Sequence, residues 1–359
     1  MIPNMKYYYF LVVVLICACK GGSQNVIEFY DANIGSNDLS QIFEVKSFVP
    51  LSIPDSINFG IIQDVQYTND EIIVLENGLN NSILFFDSLG HFTRQLSKLG
   101  NGPGEYIEIE FFTMTGTSVV LYDRNQSKLI YYDLRTLNYI SETKLDFLLV
   151  GGLGLTDDQL LLISDSQEKT GYIFYQASTD SFDHFPQSPG VIEGYIPQAI
   201  STDLLGQGYL TQAFTEQVYK IRNNALALEF RIDFGSKSIP TTVLETSDAN
   251  DFYDILSSGA YYFAAHNILK NENFVAFNFF NENIENVELG LVDLNSGETL
   301  RYSPDSHFDY VIMRPLSVRR GEFQTVLLPE EVDPSSLLNL GIKIQATEYP
   351  ILVSYVPKN

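Results

Sequence analysis

The sequence is poor in cysteine, tryptophan and basic side chains. It contains two cysteines and no tryptophan among 359 residues, and 21 basic residues stand against 45 acidic ones, for a formal net charge of −24. Such a surface repels nucleic-acid phosphates, so the composition argues against DNA or RNA as a partner. Both cysteines, Cys17 and Cys19, lie at the N-terminus. The remaining chain has no disulfide and must depend on a large hydrophobic core.

Signatures of familiar catalytic sites are also missing. The four histidines, at positions 91, 184, 266 and 307, are too widely spaced for a zinc motif. The chain has no nucleophile elbow, P-loop or dinucleotide-binding fingerprint. We therefore expect no cofactor and no metal, and the sequence favours a protein that is not an enzyme.

Acidic clusters keep one alternative open, which is a bound calcium ion with oxygen ligands. The candidate clusters are Asp157-Asp158, Asp248 with Asp251 and Asp254, Glu282 with Glu285 and Glu288, and Glu330-Glu331 with Asp333. None has the Asp-x-Asp-x-Asp-Gly order of a calcium loop, and solvated surface is the simpler interpretation.

The N-terminus has the order of features that is typical of an export signal. Lys6 precedes an apolar run, Phe10 to Ala18, that is shorter than the roughly 20 residues of a membrane-spanning helix. The run ends in Leu15-Ile16-Cys17-Ala18-Cys19, which resembles the lipobox of bacterial lipoproteins. We expect residues 1–18 to be a lipoprotein signal peptide and Cys19 to carry a lipid such as palmitate. An ordinary signal peptide without lipid is the alternative.

The residues after Cys19 indicate a destination. Residues 19–40 are interpreted as a lipidated tether and lead-in, because Lys20 to Asn25 are small or polar. Lys20 stands where lipoproteins retained in the enteric inner membrane have Asp, and no acidic run of the surface-export type follows. By this resemblance we expect an outer-membrane anchor on the periplasmic face rather than on the cell surface.

A paired apolar or aromatic element recurs along the chain, just before a turn. Its copies contain Phe86, Tyr132, Tyr175, Tyr219 and Val292, and the first three steps are 46, 43 and 44 residues. These steps are close to the roughly 40–45 residues of a four-stranded propeller blade. Short apolar runs bounded by turn residues precede each copy and favour strands over helices.

The last step, of 73 residues, indicates an insertion near residues 239–266. One short helix is expected within Thr242 to Tyr262. The segment from Val311 to Val356 leaves room for a sixth copy, with Ile351 to Tyr355 as its last strand. The sequence therefore predicts an all-β protein, a six-bladed β-propeller of four-stranded antiparallel blades, over residues 41–359.

One loop carries a family resemblance. Leu99-Gly100-Asn101-Gly102-Pro103-Gly104-Glu105-Tyr106, preceded by the turn Asp87 to Gly90, resembles a motif of the six-bladed β-propeller lipoproteins of Bacteroidetes, a TolB-like and NHL-like group. Gln217 to Ile221 and Tyr349 to Val353 are similar to two other stretches of that family. The resemblance spans Ile42 to the C-terminus and implies the same fold, although Tyr349 stands where the family commonly has Asn.

The glycine-rich loop is the first candidate site. Its residues Gly102, Pro103, Gly104, Glu105 and Tyr106 reverse the chain sharply, because glycine accepts positive φ and proline fixes φ. A connector between blades is one interpretation. Contact of Glu105 or Tyr106 with a ligand is the other.

Three arginines are the second candidate site. Arg314, Arg319 and Arg320 form the one basic concentration in a strongly acidic chain. The planar guanidinium suits carboxylates, so this group is a candidate anion-binding site. Ion pairs with neighbouring acidic loops are the alternative.

These patterns favour a lipid-anchored protein of the cell envelope that binds a partner without catalysis. The membrane is contacted through the N-terminal lipid, and the expected partner is a glycan, a peptide or an envelope protein. The alternative is an enzyme with its site in the central channel, either a calcium-dependent lactonase-like hydrolase or a carbohydrate lyase. That alternative depends on analogy with related propellers.

Overall fold

The computed structural model describes residues 26–30, 32–36, 38–57, 59–164, 171–186, 200–202, 208–212, 214–222, 225–246, 254–331, 334–343 and 348–358. The predicted lipid-attachment residue, Cys19, and the predicted signal peptide before it lie outside these ranges. The described strands form six sheets, arranged as a ring. The predicted six-bladed β-propeller is confirmed.

Three strands precede the first blade: β1 (Val26–Glu28), β2 (Asn33–Ile34) and β3 (Phe43–Pro50). Blade 1 contains β4 (Ile62–Tyr67), β5 (Glu71–Glu76), β6 (Ser82–Asp87) and β7 (Phe92–Leu96). Blade 2 contains β8 (Ile109–Met114), β9 (Ser118–Asp123), β10 (Lys128–Asp133) and β11 (Tyr139–Lys144). Blade 3 contains β12 (Leu149–Thr156), β13 (Gln159–Ser164), β14 (Gly171–Gln176) and β15 (Ser181–Pro186).

Blade 4 contains β16 (Ile200–Thr202), β17 (Gly208–Gln212), β18 (Gln217–Arg222) and β19 (Ala225–Asp233). Blade 5 contains β20 (Tyr262–Lys270), β21 (Phe274–Asn281), β22 (Val287–Asp293) and β23 (Thr299–Tyr302). Blade 6 contains β24 (Ser317–Arg319), β25 (Glu322–Leu327) and β26 (Ile351–Pro357), and β3 completes it.

The first strand of each blade lines the central channel, and the chain then runs outward, strand by strand. Successive strands are antiparallel, so the blade-to-blade connections and the turns between first and second strands lie at opposite ends of the ring. We call these the connector end and the hairpin end.

The recurring aromatic element occupies the third strand of blades 1 to 5. In β6, β10 and β14 five successive residues are buried and the sixth is half-buried. The two faces of each such strand pack on the two neighbouring blades. A continuous apolar run, rather than alternation, is therefore its sequence signature.

The ring is closed by strands from the two ends of the chain. β3 pairs antiparallel with β26, with Ser47 opposite Ser354 and Val49 opposite Leu352. The predicted last strand of the sixth copy is thus the third strand of blade 6, and its fourth strand comes from the N-terminus. The blade repeat holds no sign of this long-range pairing.

The segment before β3 also pairs with the propeller. β1 lies parallel to β19, the outer strand of blade 4, and β2 lies parallel to β23 of blade 5. Between them the ring of Phe29 is fully buried and packs on Phe277 and Phe279 at centroid distances of 5.0 and 5.5 Å. The lead-in predicted over residues 19–40 is therefore tied to the fold from Val26 onward.

Helices are short and lie in connections: α1 (Leu39–Ile42), α2 (Thr241–Thr246), α3 (His307–Met313) and α4 (Pro334–Asn339), with 3-10 turns at Gly235–Lys237 and Pro329–Glu331. α2 lies in the predicted insertion, of which residues 247–253 are outside the described ranges. Ile239 and Leu256 of this region pack with Phe214 and Phe280 in one buried cluster. No helix in the described ranges is long and apolar enough to cross a membrane.

Candidate functional site

The central channel holds a cavity of about 850 Å³. Its described walls come from β4, β8, β12, β16 and β24. Asn69, Gly116 and Arg320, which lie in turns after first strands, also line it. The cavity therefore extends to the hairpin end of the ring, and its volume is in the range of ordinary ligand sites.

Arg319 and Tyr67 join blade 6 to blade 1 in the wall of this cavity. The Nη2 of Arg319 donates to the carbonyl oxygen of Tyr67 at 2.9 Å, and its Cζ lies 4.5 Å from the centroid of the Tyr67 ring. Burial, together with the charge of Arg320, lowers the pKa of Arg319 to about 10, so the guanidinium stays charged at neutral pH. Its Nη1 is buried, and in the described part of the chain it has no hydrogen-bond partner.

Asp64 lies on the same wall. Its Oδ2 accepts a hydrogen bond from Nε2 of Gln66 at 2.9 Å. Burial nevertheless raises the pKa of Asp64 to about 6, because the loss of hydration outweighs this bond. The channel thus carries a cation and a carboxyl group of altered acidity on neighbouring strands.

Two glutamine side chains in the channel form hydrogen bonds with backbone groups at the inner edge of a neighbouring first strand. Gln63 and Gln66 of blade 1 donate to the carbonyl oxygens of Glu110 and Phe112 in blade 2, each at 2.8 Å. This edge has no further strand beside it, so its carbonyl groups need such partners. The two glutamines therefore have a structural role, whereas Arg319 retains an unused donor.

The glycine-rich loop connects blade 1 to blade 2. Within it, Oε2 of Glu105 accepts from the backbone N–H of Gly102 at 2.8 Å, and Gly104 has a φ of +68°. Tyr106 is fully buried, and its hydroxyl donates to the carbonyl oxygen of Leu96 at 3.2 Å. Glu105 and Tyr106, the two candidates for ligand contact, thus both form hydrogen bonds within the protein.

Blade 2 holds this loop by a second set of bonds. Oε2 of Glu142 accepts from the Gly104 N–H and from Nζ of Lys128, each at 3.1 Å. The hydroxyl of Tyr132 donates to the Gly104 carbonyl oxygen at 2.5 Å. The hydrogen bond from Gly104, followed by that from Lys128, lowers the pKa of Glu142. The loop therefore has the contacts of a structural connector.

The three arginines do not form one cluster. Arg319 and Arg320 line the channel cavity toward the hairpin end. Arg314 precedes β24 and lies toward the connector end, where its Cζ is 5.5 Å from the centroid of the Tyr310 ring in α3. It lines a different cavity, of about 360 Å³. The three arginines are close in the sequence, but they line two different cavities.

Two buried ionisable residues in blades 4 and 5 carry no sequence signal. The carboxylate of Glu216 accepts from the N–H groups of Ala264 and Ala265 at 2.9 and 2.8 Å, and burial raises its pKa to about 7. Nδ1 of His266 lies 2.8 Å from the carbonyl oxygen of Ala264, and burial lowers its pKa to about 4. In the sequence, Glu216 is one acidic turn residue among many and His266 is an isolated histidine.

Several acidic residues of the predicted clusters have other partners within the protein. Asp158 accepts from the Ser178 N–H at 2.6 Å, and Glu288 pairs with Arg301 at 3.1 Å. Positions 248, 251 and 333 lie outside the described ranges. Among the residues that are described, no group of three or more His, Cys, Asp or Glu side chains is placed to hold a metal ion.

Comparisons with known proteins agree with the fold. A protein of Bacteroides fragilis NCTC 9343, whose name provisionally describes it as exported, is 20% identical, with a TM-score of 0.70 over 93% of this chain and 100% of that one. A member of the duf4221 family from Bacteroides vulgatus ATCC 8482 is 9% identical, with a TM-score of 0.56 over 90% of this chain and 100% of that one. No curated protein matches the chain.

A family model described as Domain of unknown function (DUF4934) matches residues 24–355. That range includes residues of all six blades and the N-terminal strands that close the ring. Because the match covers nearly the whole chain, the protein belongs to the DUF4934 family.

Proposed function

We propose that the protein is an exported, lipid-anchored β-propeller of the cell envelope that binds a carboxylate-bearing ligand in its channel without catalysing a reaction. The observation that carries this proposal is Arg319, a guanidinium in the channel wall with a buried Nη1 that lacks a hydrogen-bond partner among the described residues. Lipid anchoring is supported by the lipobox ending at Cys19 and by the short apolar run before it.

Burying a cation at this position costs free energy of folding unless an anion accompanies it. Burial of an unpaired charge is unfavourable, and no described carboxylate forms an ion pair with Arg319 although the chain has 45 acidic residues. The ring and carbonyl oxygen of Tyr67 fix the direction of the guanidinium. A ligand carboxylate would supply the missing acceptor by a charge-assisted hydrogen bond.

The charge of the protein favours a carboxylate over a phosphate. A net charge of −24 repels anions, and a group with a single negative charge is repelled less than one with two. The cavity of about 850 Å³ admits a sugar residue or the end of a peptide but not a folded domain. The ligand is therefore a uronate or a peptide end that enters the channel from the hairpin end.

Export is supported by the N-terminal segment and by one structural relative. The Bacteroides fragilis protein with a TM-score of 0.70 is named as exported, provisionally. A tether anchored at Cys19 reaches the first described strand, Val26, after seven residues, a span of at most about 25 Å. The propeller would thus stay close to the membrane surface.

Binding is tested by calorimetry on the full chain in detergent. The probes are oligogalacturonate, the neutral oligogalactoside of equal length, and one peptide with a free or an amidated C-terminus. We expect one acidic probe to bind and its neutral counterpart to fail. Arg319→Gln should weaken binding at least about tenfold, equivalent to about 1.4 kcal/mol. Arg222→Gln, which changes an exposed arginine of blade 4, is the matched control.

Two outcomes would contradict this proposal. One is equal affinity for an acidic probe and its neutral counterpart. The other is equal loss of affinity in the Arg319→Gln and Arg222→Gln variants. In either case the ligand does not depend on the guanidinium in the channel.

The enzyme alternative is favoured by one observation, the raised pKa of Asp64. A carboxyl group with a pKa of about 6 in a cavity is suited to proton transfer near neutral pH. If the channel is an active site, the acidic probe should be cleaved, and Asp64→Asn should abolish cleavage while binding remains. Intact probe after prolonged incubation with the wild-type chain would exclude that reaction.

A further inference from the structure

A second cavity lies toward the connector end, where blades 5, 6 and 1 meet. It has a volume of about 360 Å³ and shares no lining residue with the channel cavity. Ile62, Phe280 and Val326 give it apolar walls, and all three are buried. A small, mostly apolar cavity with a few polar groups is the usual form of a site for a small molecule.

His266 supplies a hydrogen-bond acceptor to this cavity. The residue is 4% exposed and lines the cavity. Because its Nδ1 lies 2.8 Å from the carbonyl oxygen of Ala264, the proton of the neutral ring is on Nδ1. Nε2 is then an acceptor, and no described residue donates to it.

The backbone around His266 is held in an unusual conformation. Ala264 and Asn267 have φ values of +53° and +50°, and the pairing of β20 with β21 shifts on both sides of His266. The buried carboxylate of Glu216 holds the N–H groups of Ala264 and Ala265. Bulges and left-handed residues of this kind often direct a side chain toward a site.

Asn267 adds a second polar group at the cavity. It is 3% exposed, and its Nδ2 donates to Oδ1 of Asn278 and to the carbonyl oxygen of Pro315, each at 3.1 Å. Its Oδ1 is buried and has no donor among the residues described. Buried amide oxygens are nearly always paired, so this one marks a place where a donor is missing.

Arg314 supplies a cation to the same cavity. Its side chain is exposed, stacks on Tyr310 and donates to the Tyr310 hydroxyl. Within the described ranges no carboxylate pairs with it, although Glu331 also lines the cavity. The carboxylate of Glu331 accepts instead from the Leu328 N–H at 2.9 Å and lies 3.5 Å from His307.

We propose that this cavity is a second binding site, for a small carboxylate that also carries a hydroxyl or ammonium group. The carboxylate pairs with the guanidinium of Arg314, and the hydroxyl or ammonium group donates to Nε2 of His266. A hydroxy acid and an amino acid share this chemistry. The site is independent of the channel and of the ligand bound at Arg319.

The test uses nitrogen-15 NMR of the full chain in detergent, labelled at histidine. The chain has four histidines, so their ring signals are few, and His266→Gln identifies the signal of His266. The probes are galacturonate, L-serine, and the neutral sugar galactose. We expect galacturonate or serine to shift the His266 Nε2 signal saturably below about 10 mM, and galactose to leave it unchanged.

Variants separate this site from the channel. Arg314→Gln should weaken the effect on His266 at least about tenfold, and Arg314→Lys should restore part of it by returning the charge. Arg314 is exposed, so neither change threatens folding. Arg319→Gln should have no effect on the His266 signal. The proposal is overturned if both acids leave the signal in place, if Arg314→Gln binds as well as wild type, or if Arg319→Gln abolishes the shift.

Discussion

The Nη2 of Arg319 donates to the carbonyl oxygen of Tyr67 at 2.9 Å, across 252 positions of the chain. This bond joins the last blade to the first inside the channel. The same guanidinium lies over the Tyr67 ring, with Cζ 4.5 Å from its centroid. The Nη2 of Arg319 is thus held by the fold, while its Nη1 has no hydrogen-bond partner among the described residues.

Replacing Arg319 should change binding far more than stability. Arg319→Gln removes one hydrogen bond, worth about 1 kcal/mol, but it also removes an unpaired and partly buried cation. We expect the free energy of unfolding to change by less than about 1 kcal/mol, measured by urea denaturation. A loss of more than about 3 kcal/mol would show that the guanidinium is mainly structural.

Removing the N-terminal strands should open the ring. A chain that begins at Leu51 lacks β1 to β3, so β26 loses its outer partner and blade 6 has three strands. We expect the melting temperature to fall by at least about 10 °C, or the chain to aggregate through the exposed edge of β26. Thermal unfolding followed by circular dichroism measures this change.

A chain that begins at Val26 is the control for this truncation. It keeps all three N-terminal strands and should melt within about 2 °C of the full chain. Equal melting of the chains that begin at Val26 and at Leu51 would mean that β3 does not close the ring in solution.

The repeat pattern was sufficient to predict the fold because the buried third strands carry it. Pairs such as Phe85-Phe86 and Tyr131-Tyr132 mark strands that are apolar on both faces. The pairing of β3 with β26 leaves no such mark, because it joins two segments about 300 positions apart through backbone hydrogen bonds.

Less of the candidate sites than of the fold could be predicted from the sequence. Arg314 and Arg319 are five positions apart, yet β24 places them in different cavities. Burial raises the pKa values of Asp64 and Glu216, and the identity of a single acidic residue in the sequence does not indicate whether it is buried. Only the complete packing of the blades identifies them.

Glu216 should make stability fall as pH rises. Its pKa is about 7 in the folded chain against an ordinary value of 4.5, so between these values the folded chain keeps a proton that the unfolded chain has released. The contribution of Glu216 to the free energy of unfolding therefore decreases with increasing pH across this window, by up to about 3 kcal/mol. His266 has the opposite effect between pH 4 and 6.5, because its pKa is lowered.

Comparison of two variants isolates the contribution of Glu216. Relative to wild type, Glu216→Gln should lose the decrease between about pH 4.5 and 7, so that the opposing rise due to His266 remains. His266→Gln should instead leave the decrease due to Glu216 unopposed. The Glu216→Gln chain should also be less stable at low pH, since an amide NH₂ would face a backbone N–H. Parallel urea titrations at several pH values give both results, and an unchanged slope in Glu216→Gln would refute the assignment.

Cys19 should be the site of lipid attachment. With radiolabelled palmitate in growing cells, we expect Cys19→Ser to abolish labelling and to release the chain from the membrane fraction, because an acyl chain supplies the hydrophobic attachment. Cys17→Ser is the matched control and should remain labelled. Labelling that persists in Cys19→Ser would exclude a lipoprotein anchored at this residue.

Binding of a carboxylate at Arg319 is tested most directly by a crystal structure of the protein with the acidic probe that calorimetry identifies. We expect a probe carboxylate in the channel, within hydrogen-bond distance of Nη1 of Arg319 and on the side of Tyr67 that faces the cavity. A probe bound on the outer surface, with Nη1 still without an acceptor, would contradict it.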